Sequence, residues 1–252
     1  MKISGTIVAL NEETNIARAI RSMGACVDEI VVIDSGSTDR TREIAASLGA
    51  RVVEEPWRGY AAQKNFAASC AEHQWILSID ADEELTAELA AEIAALKNRL
   101  APDELNAVDG WTMPRLARYL GKWIRHSGWY PDRKLRLYNR ERGAWQGEFV
   151  HESVRVAGAV GQLGGDLLHF TCDSLSQHLR TLDRYTTLAA QAVIASGKDV
   201  SLRRLVVDPP WTFVRSYVIH RGFLDGTQGF LIAAMASFYT FLKYAKAREL
   251  RQ

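Results

Sequence analysis

Residues 75–82, Trp-Ile-Leu-Ser-Ile-Asp-Ala-Asp, place the tightest constraint on the fold, because an apolar run ends in two carboxylates one residue apart. A strand covered on both faces reads as near-continuous apolar sequence, and open α/β sheets bind ligands at the carboxyl ends of such strands. The run predicts a buried parallel strand with Asp80 and Asp82 at a ligand-binding edge. Acids at this place also suit the start of a helix near Thr86, where Asp82-Glu83-Glu84 would be stabilised by the macrodipole. Taken alone, the segment leaves both readings open.

The residues before it alternate in βα fashion. Strands are predicted at Ile3 to Leu10, Glu29 to Asp34 and Arg51 to Glu54, and helices at Thr14 to Met23, Thr41 to Leu48, Gln63 to Cys70 and Thr86 to Leu100. Such alternation implies a parallel sheet with right-handed crossovers. After Asp109-Gly110 the pattern changes to short strands at Trp111 to Pro114, Lys134 to Asn139 and Ser153 to Ala157. Ser174 to Ser196 then carries Leu175, Leu179, Leu182, Tyr185 and Ala189 at helical spacing. Asp208-Pro209-Pro210 is expected to break the chain before a final amphipathic region, Trp211 to Lys246.

With 252 residues and 47% hydrophobic composition, the chain can form one large α/β domain or a domain with an appendage. Lys2 leads directly into the first strand, so a secretory signal is not expected and a cytoplasmic location is. Cys26, Cys70 and Cys172 lack metal-type spacing and cannot all pair, which fits a reducing compartment. The net charge of +1 hides a division: residues 1–110 carry 10 Lys and Arg against 19 Asp and Glu, and residues 111–252 carry 21 against 11. An acidic front suits a cation and a basic back suits an anion.

A second acidic tip follows the second strand, in Ile33-Asp34-Ser35-Gly36-Ser37-Thr38-Asp39. A carboxylate there can accept hydrogen bonds from a base or ribose, while the Ser-Gly-Ser-Thr turn lets backbone approach a ligand. An Asx-turn with a helix cap explains the same residues. The first strand runs into Asn11-Glu12-Glu13, whose carboxylates would repel a pyrophosphate, and neither G-x-G-x-x-G nor G-x-x-x-x-G-K-[ST] occurs. Nicotinamide dinucleotides and P-loop nucleotides are therefore not indicated. Phosphates bound here need a metal, and the Asp80-Ala81-Asp82 oxygens suit hard Mn²⁺ or Mg²⁺.

In this order the tips resemble those of the family 2 glycosyltransferases, with a strand ending in Asn-Glu, one ending in Asp-x-Gly-Ser-Thr-Asp, and a D-x-D motif. Trp129-Tyr130-Pro131-Asp132-Arg133-Lys134, Val150-His151-Glu152 and Asp225-Gly226-Thr227-Gln228-Gly229-Phe230 also look like the subgroup that adds β-1,4-linked glucose to lipopolysaccharide inner core. The resemblance implies a GT-A-type, Rossmann-like α/β sandwich with a mostly parallel central sheet and a C-terminal helical extension. Residues 1–110 would form the nucleotide-sugar half, 111–172 the acceptor side and 173–252 the extension. It further implies that Asn11, Glu12 and Asp34 face the nucleoside, that Lys64, Asn65 and Asp80 complete the donor pocket, and that Asp82 ligates the metal with Asp80 close by. Many members have two successive acids where this chain has Asp34-Ser35, so contact with the base would rest on Asp34. The implied reaction is inverting transfer of a hexose, glucose by resemblance, from a UDP-sugar to a lipid-linked glycan.

Such a displacement needs one general base. Family logic places it in an acidic motif after a glycine-containing loop, which favours Glu152 with Asp132 as runner-up, and makes His151 an acceptor contact. His169, after an apolar pair, is a candidate third metal ligand by analogy with related folds, although a core histidine fits the same pattern. Cations from Arg115 to Arg136 interleave with Trp111, Tyr119, Trp123, Trp129 and Tyr130, a combination that can stack sugars and pair phosphates, or bind RNA. The resemblance decides for a phosphorylated glycan and against nucleic acid, with Trp129, Arg133, Arg136 and Arg221 on the acceptor side. Phe223 to Leu242 is apolar but interrupted, too short to span a bilayer, and flanked by Arg215, Arg221, Lys243, Lys246 and Arg248, as in helices lying on the cytoplasmic membrane's inner face. A sugar-1-phosphate nucleotidyltransferase would need a glycine-rich first loop that is missing. A membrane-peripheral nucleotide-binding or assembly protein is the non-enzymatic alternative. The oligomeric state is left open.

Overall fold

Successive residues of the first strands point to opposite sides, and each side buries a different helix layer. The computed structural model describes residues 1–99, 107–147, 152–197 and 200–251. Its backbone divides into two units, the first comprising residues 1–115 and 132–169, the second residues 116–131 and 170 onward.

In the first unit, β1 (Ile3–Ala9), β2 (Glu29–Asp34), β3 (Arg51–Glu54) and β4 (Trp75–Asp80) pair in parallel in the order β3-β2-β1-β4. Between them run α1 (Ile16–Met23), α2 (Thr41–Ser47) and α3 (Tyr60–Cys70), and α4 (Ala87–Arg99) follows. Ile3, Ile7, Val32, Leu77 and Ile79 join Ile16, Ile20 and Met23 of α1 and Leu89 and Ile93 of α4 in one core. On the other side Val31 and Ile33 meet Ala67 of α3, and Ile76 meets Ala68. Each fully buried Ile or Leu contributes about 1.5–3 kcal/mol, which fixes the register of these strands. That register sets Ala9 beside Asp34 and Val8 beside Asp80, so three strand tips lie side by side.

Beyond β4 the pairing turns antiparallel. β8 (Asp132–Asn139) joins β4, and β6 (Gly110–Tyr119) joins β8. β12 (Leu167–Cys172) pairs with β5 (Glu83–Leu85), opposing His169 to Glu83. β11 (Val160–Gln162) lies parallel to β6, while β9 (Gly143–Gln146) and β10 (Ser153–Val156) form a separate hairpin. The fold is thus the expected α/β sandwich, with a parallel half continued by antiparallel strands. β5 was not foreseen. Glu83 and Glu84 belong to it and do not cap α4; Thr86 does, accepting the Leu89 amide at 3.2 Å. α3 starts at Tyr60, three residues before the expected Gln63, because Gly59 at φ 100° turns the chain into it.

The second unit contains the end of β6 paired with β7 (Lys122–Trp123) across Leu120-Gly121, both with positive φ as a tight hairpin turn requires. Its helices are α5 (Leu175–Ala195), α6 (Leu202–Val214) and α7 (Gly226–Glu249), with a π-helical turn at Arg215–Ile219 and a 3₁₀ turn at Gly222–Asp225. Buried Asp225 accepts the His126 amide at 2.9 Å and sits 3.1 Å from His126 Nδ1, tying the 3₁₀ turn to the chain after β7. Ala190, Val193, Tyr244 and Ala247 form the contact of α5 with α7. Gly229 is required where it stands, since a Cβ there would lie 1.8 Å from the Gly222 carbonyl oxygen.

Asp208-Pro209-Pro210 does not break the chain but lies inside α6. An interior proline costs about 3 kcal/mol through its missing N–H and ring clash. Here Pro209 is buried, its carbonyl accepts Ser237 Oγ from α7 at 2.8 Å, and the Asp208 carbonyl accepts Thr212 Oγ1 at 2.8 Å. Packing between α6 and α7 offsets the penalty, information that the local sequence does not contain. Among the described residues no helix is long and apolar enough to cross a membrane. All three cysteines are free.

Candidate functional site

The loops leaving β1 and β2 are bound to one another. Asn11, at φ 55°, donates its amide to Ser37 Oγ at 2.9 Å and accepts the Thr38 amide on Oδ1 at 2.8 Å. The Glu12 amide donates to Thr41 Oγ1 at 2.8 Å, and its carboxylate accepts Asn15 Nδ2 at 2.8 Å. Asp34 is 0% exposed: it accepts the Gly36 and Ser37 amides at 3.1 and 2.8 Å and the Ser37 hydroxyl. Its carboxylate shapes the turn from within, and the Asx-turn is what the structure builds. At the surface of this edge stand the partly exposed Glu12 and the exposed Gly36, while the Ser35 amide is bound to the Ala9 carbonyl and the Gly36 amide to Asp34. Burial pushes the Glu12 carboxyl above its usual range, and repulsion from Asp82, Asp39 and Asp80 adds to the rise. A concentration of negative charge of this kind is what a divalent cation relieves.

From β4 a run of ion pairs crosses the sheet, alternating in sign at every step. Lys64 Nζ, on α3, lies 3.3 Å from Glu152 and 2.7 Å from Asp80 Oδ1. Arg136, on β8, donates to Asp80 Oδ2 and to Glu83, each at 2.7 Å. Glu83 is 3.6 Å from Arg115, which lies 2.6 Å from Asp132, and Lys134 stands 3.0 Å from Asp132. Four acids and four cations therefore neutralise one another. Burial would raise the Asp80 carboxyl, but Arg136 and Lys64 outweigh it and hold it far below the ordinary carboxylate range. Both Asp80 oxygens lie against cations, Oδ1 against Lys64 and Oδ2 against Arg136, so Asp80 ties α3 and β8 to the end of β4.

Asp82 Oδ2 stands 3.3 Å from His169 Nε2, which β12 brings there by pairing with β5. His169 Nδ1 is buried without a hydrogen-bond partner among the described residues. A carboxylate and an imidazole, with remaining positions open to phosphate oxygens and water, fit Mn²⁺ or Mg²⁺. Among the described residues, three groups able to ligate a metal come within 4.8 Å of one another at Glu29, Glu72 and His73, at the opposite end of the strands from the Asp82–His169 pair. Glu29 is there committed to Ser4, the Glu72 amide and Arg51.

The two candidate bases differ. Burial raises Asp132, but Arg115 and Lys134 outweigh it and leave its carboxyl below the ordinary range, a poor proton acceptor. Glu152 has one oxygen near Lys64 and the other, Oε2, buried with no partner among the described residues. It lines a cavity of about 350 Å³ with Lys64, Asp80, Trp145, Arg133 and Arg155. Lys64 is 8% exposed and sits 4.2 Å above the Trp145 ring, with Arg136 at 5.3 Å. Asn65 holds the Trp145 backbone beside this cavity: Nδ2 donates to the Trp145 carbonyl and Oδ1 accepts its amide, both at 2.9 Å. Arg133 donates to the Leu163 carbonyl at 2.6 Å and the Thr112 carbonyl at 3.2 Å.

His151 lies outside the described residues. Trp129 and Arg221 belong to the second unit. Trp129 packs edge-on against Tyr119 with centroids 5.7 Å apart, and Arg221, at φ 55°, joins the π-helical and 3₁₀ turns with an exposed side chain. Sequence reasoning missed Glu83, which looked like a helix cap, and Trp145, which only the hairpin β9–β10 brings over Lys64. The alternation Lys134, Arg136 on β8 was a signal that cations share one face.

The profile described as Glycosyl transferase family 2 matches residues 5–151. An uncharacterized glycosyltransferase of Rickettsia typhi is 34% identical over 99% of this chain and 87% of its own length. The lipopolysaccharide core biosynthesis glycosyltransferase LpsC of Rhizobium meliloti is also 34% identical, over 98% of this chain and 92% of its length. Among solved structures, glucosyl-3-phosphoglycerate synthase from Mycobacterium tuberculosis, in complex with Mn²⁺, UDP-glucose and phosphoglyceric acid, is 21% identical, covering 79% of this chain and 80% of its own, with a TM-score of 0.47. The acidic strand tips, the Asp80-Ala81-Asp82 turn and the matched relatives agree: the chain belongs to glycosyl transferase family 2 and is a glycosyltransferase.

Proposed function

We propose that this glycosyltransferase moves a hexose, glucose by family resemblance, from a UDP-sugar to a lipid-linked glycan of the lipopolysaccharide-core type with inversion. The observation that carries the reading is Glu152: a buried carboxylate oxygen without a partner among the described residues, in a cavity shared with Asp80 and Lys64. Residues 1–110 would supply the donor half and residues 111–172 the acceptor side. Glu12 and the Ser35-Gly36 turn would face the nucleoside, with Asn11 and Asp34 setting the turn. Lys64 would leave its carboxylates for the donor diphosphate. Glu152 would take the proton of the acceptor hydroxyl as that oxygen attacks the anomeric carbon and the bond to UDP breaks. Asp82 and His169 would hold Mn²⁺ or Mg²⁺, which when bound stabilises charge on the leaving diphosphate.

The relative named for lipopolysaccharide core biosynthesis supports the acceptor class. A peripheral place on the inner face of the cytoplasmic membrane is supported by the second unit. There Trp211, Phe238 and Phe241 are exposed, an apolar groove of about 600 Å³ runs between α6 and α7, and Arg215 and Lys243 flank them. Such a surface meets anionic lipid through both apolar burial and charge.

The test is thermal stabilisation by UDP, GDP, CMP and dTDP, each with and without Mn²⁺, since a ligand of the native state raises its apparent stability. A Mn²⁺-dependent shift with UDP, retained in Glu152→Gln while transfer is lost, is expected. No shift with any nucleotide would sink the proposal and favour the acidic tips as structural caps.

A further inference from the structure

The ion-pair run accounts for most of the cavity's cations and leaves two over. Lys64, Arg136, Arg115 and Lys134 are matched by Glu152, Asp80, Glu83 and Asp132. Arg133 and Arg155 also line the cavity, yet no carboxylate among the described residues forms an ion pair with either. Arg133 is held only by neutral acceptors, the Thr112 and Leu163 carbonyls and Thr112 Oγ1 at 3.3 Å. These bonds fix the direction of its guanidinium without cancelling its charge. Arg155 projects from β10, three residues after Glu152, and is exposed. Among the described residues the cavity therefore has a surplus of two positive charges, both guanidinium, with Thr112 and Ser153 on the same lining.

We propose that Arg133 and Arg155 form a subsite for a phosphomonoester carried by the acceptor glycan. A phosphomonoester bears about −1.5 to −2 charges at pH 7, which matches the surplus, and the planar fork of arginine suits its oxygens. The donor's diphosphate has the same chemistry and is the competing source. The donor edge already has its own partners, because Asp80 and Asp82 contact Lys64, Arg136 and His169 and neither surplus arginine. The assignment to the acceptor rests on the glycosyltransferase reading proposed above, and it moves recognition of the acceptor's charge from Arg136, which is neutralised, to Arg155, which the sequence did not single out.

The experiment titrates the full chain calorimetrically with inorganic phosphate, mannose 6-phosphate and mannose, in wild type, Arg155→Gln and Arg133→Gln, beside the UDP and Mn²⁺ thermal shift. Wild type should bind both phosphates and prefer mannose 6-phosphate to mannose. Each variant should weaken phosphate binding by about 10- to 100-fold, as expected for one charge-assisted contact, with the UDP shift unchanged. Arg155→Gln, on an exposed strand position, keeps the test valid if Arg133→Gln unfolds. Equal binding of mannose and its phosphate, or unchanged phosphate affinity in Arg155→Gln, would overturn the subsite. A UDP shift weakened as much as phosphate binding would assign the arginines to the donor and likewise overturn it. Arg155-dependent phosphate binding in a chain that UDP does not stabilise would support the anion subsite and defeat the UDP-sugar reading instead.

Discussion

Replacing Glu83 by Gln removes one of the two carboxylates that neutralise Arg136. Glu83 is 0% exposed and the Arg136 side chain 5%, so water cannot take the place of the lost charge. Leaving one member of a buried pair without its partner costs about 3–5 kcal/mol. The lower end applies, because Arg136 keeps Asp80 at 2.7 Å and the Gln carbonyl can still accept a neutral hydrogen bond. At roughly 2–4 °C per kcal/mol for a chain of this size, Glu83→Gln should lower the Tm by about 6–12 °C. Glu84→Gln, at a partly exposed position 3.5 Å from Arg18, is the control and should stay within about 1 kcal/mol. In the double-mutant cycle with Arg136→Met, the double variant should be less destabilised than the sum of the singles by about 0.5–3 kcal/mol. A Tm for Glu83→Gln within 1–2 °C of wild type, by the same size scaling, or strict additivity, would refute the claim that the alternating ion pairs form one buried unit.

Asn65→Ala should cost about 1–3 kcal/mol, since two hydrogen bonds to the Trp145 backbone are lost. The UDP and Mn²⁺ shift should survive in the folded fraction, and its loss would return Asn65 to the donor pocket. The Asp132 carboxyl is held below its unfolded value, so its contribution to stability is present above about pH 4 and disappears as the pH falls through its lower folded pKa. Comparing Asp132→Asn with wild type across pH 2–6 should show the stability difference shrinking toward acid; a constant difference would mean that Arg115 and Lys134 do not stabilise the ionised form. Sedimentation with vesicles containing phosphatidylserine should carry the wild-type chain down at low salt and release it at high salt. Trp211→Glu with Phe238→Glu should abolish binding without changing the UDP shift, and equal sedimentation of the variant would exclude the α6–α7 surface.

The parallel half of the fold was legible because local and global signals coincide there. Apolar strands of β1, β2 and β4, helices between them, and acids at their tips all follow from sequence periodicity. The antiparallel half was less legible: β5 is three residues long, and its identity comes from pairing with β12 some eighty residues later. Proline chemistry gave the wrong answer at Pro209 and Pro210, where contacts with α7 override local preference.

Sequence by itself determined which residue types reach the strand tips, because the two-residue period of a strand and the position of its end decide that locally. It also carried the family, since several ordered motifs survive without any knowledge of contacts. Tertiary structure alone decided how those charges are spent. Asp34 is consumed by its own turn, Asp80 by Lys64 and Arg136, and Asn65 by Trp145, whereas among the described residues Glu152 retains an oxygen without a hydrogen-bond partner and Arg133 and Arg155 have no carboxylate paired with them. Ion pairs and hydrogen bonds between distant segments depend on distances of a few ångströms that no local pattern encodes, and those distances separate the groups that hold the site together from the groups left to act.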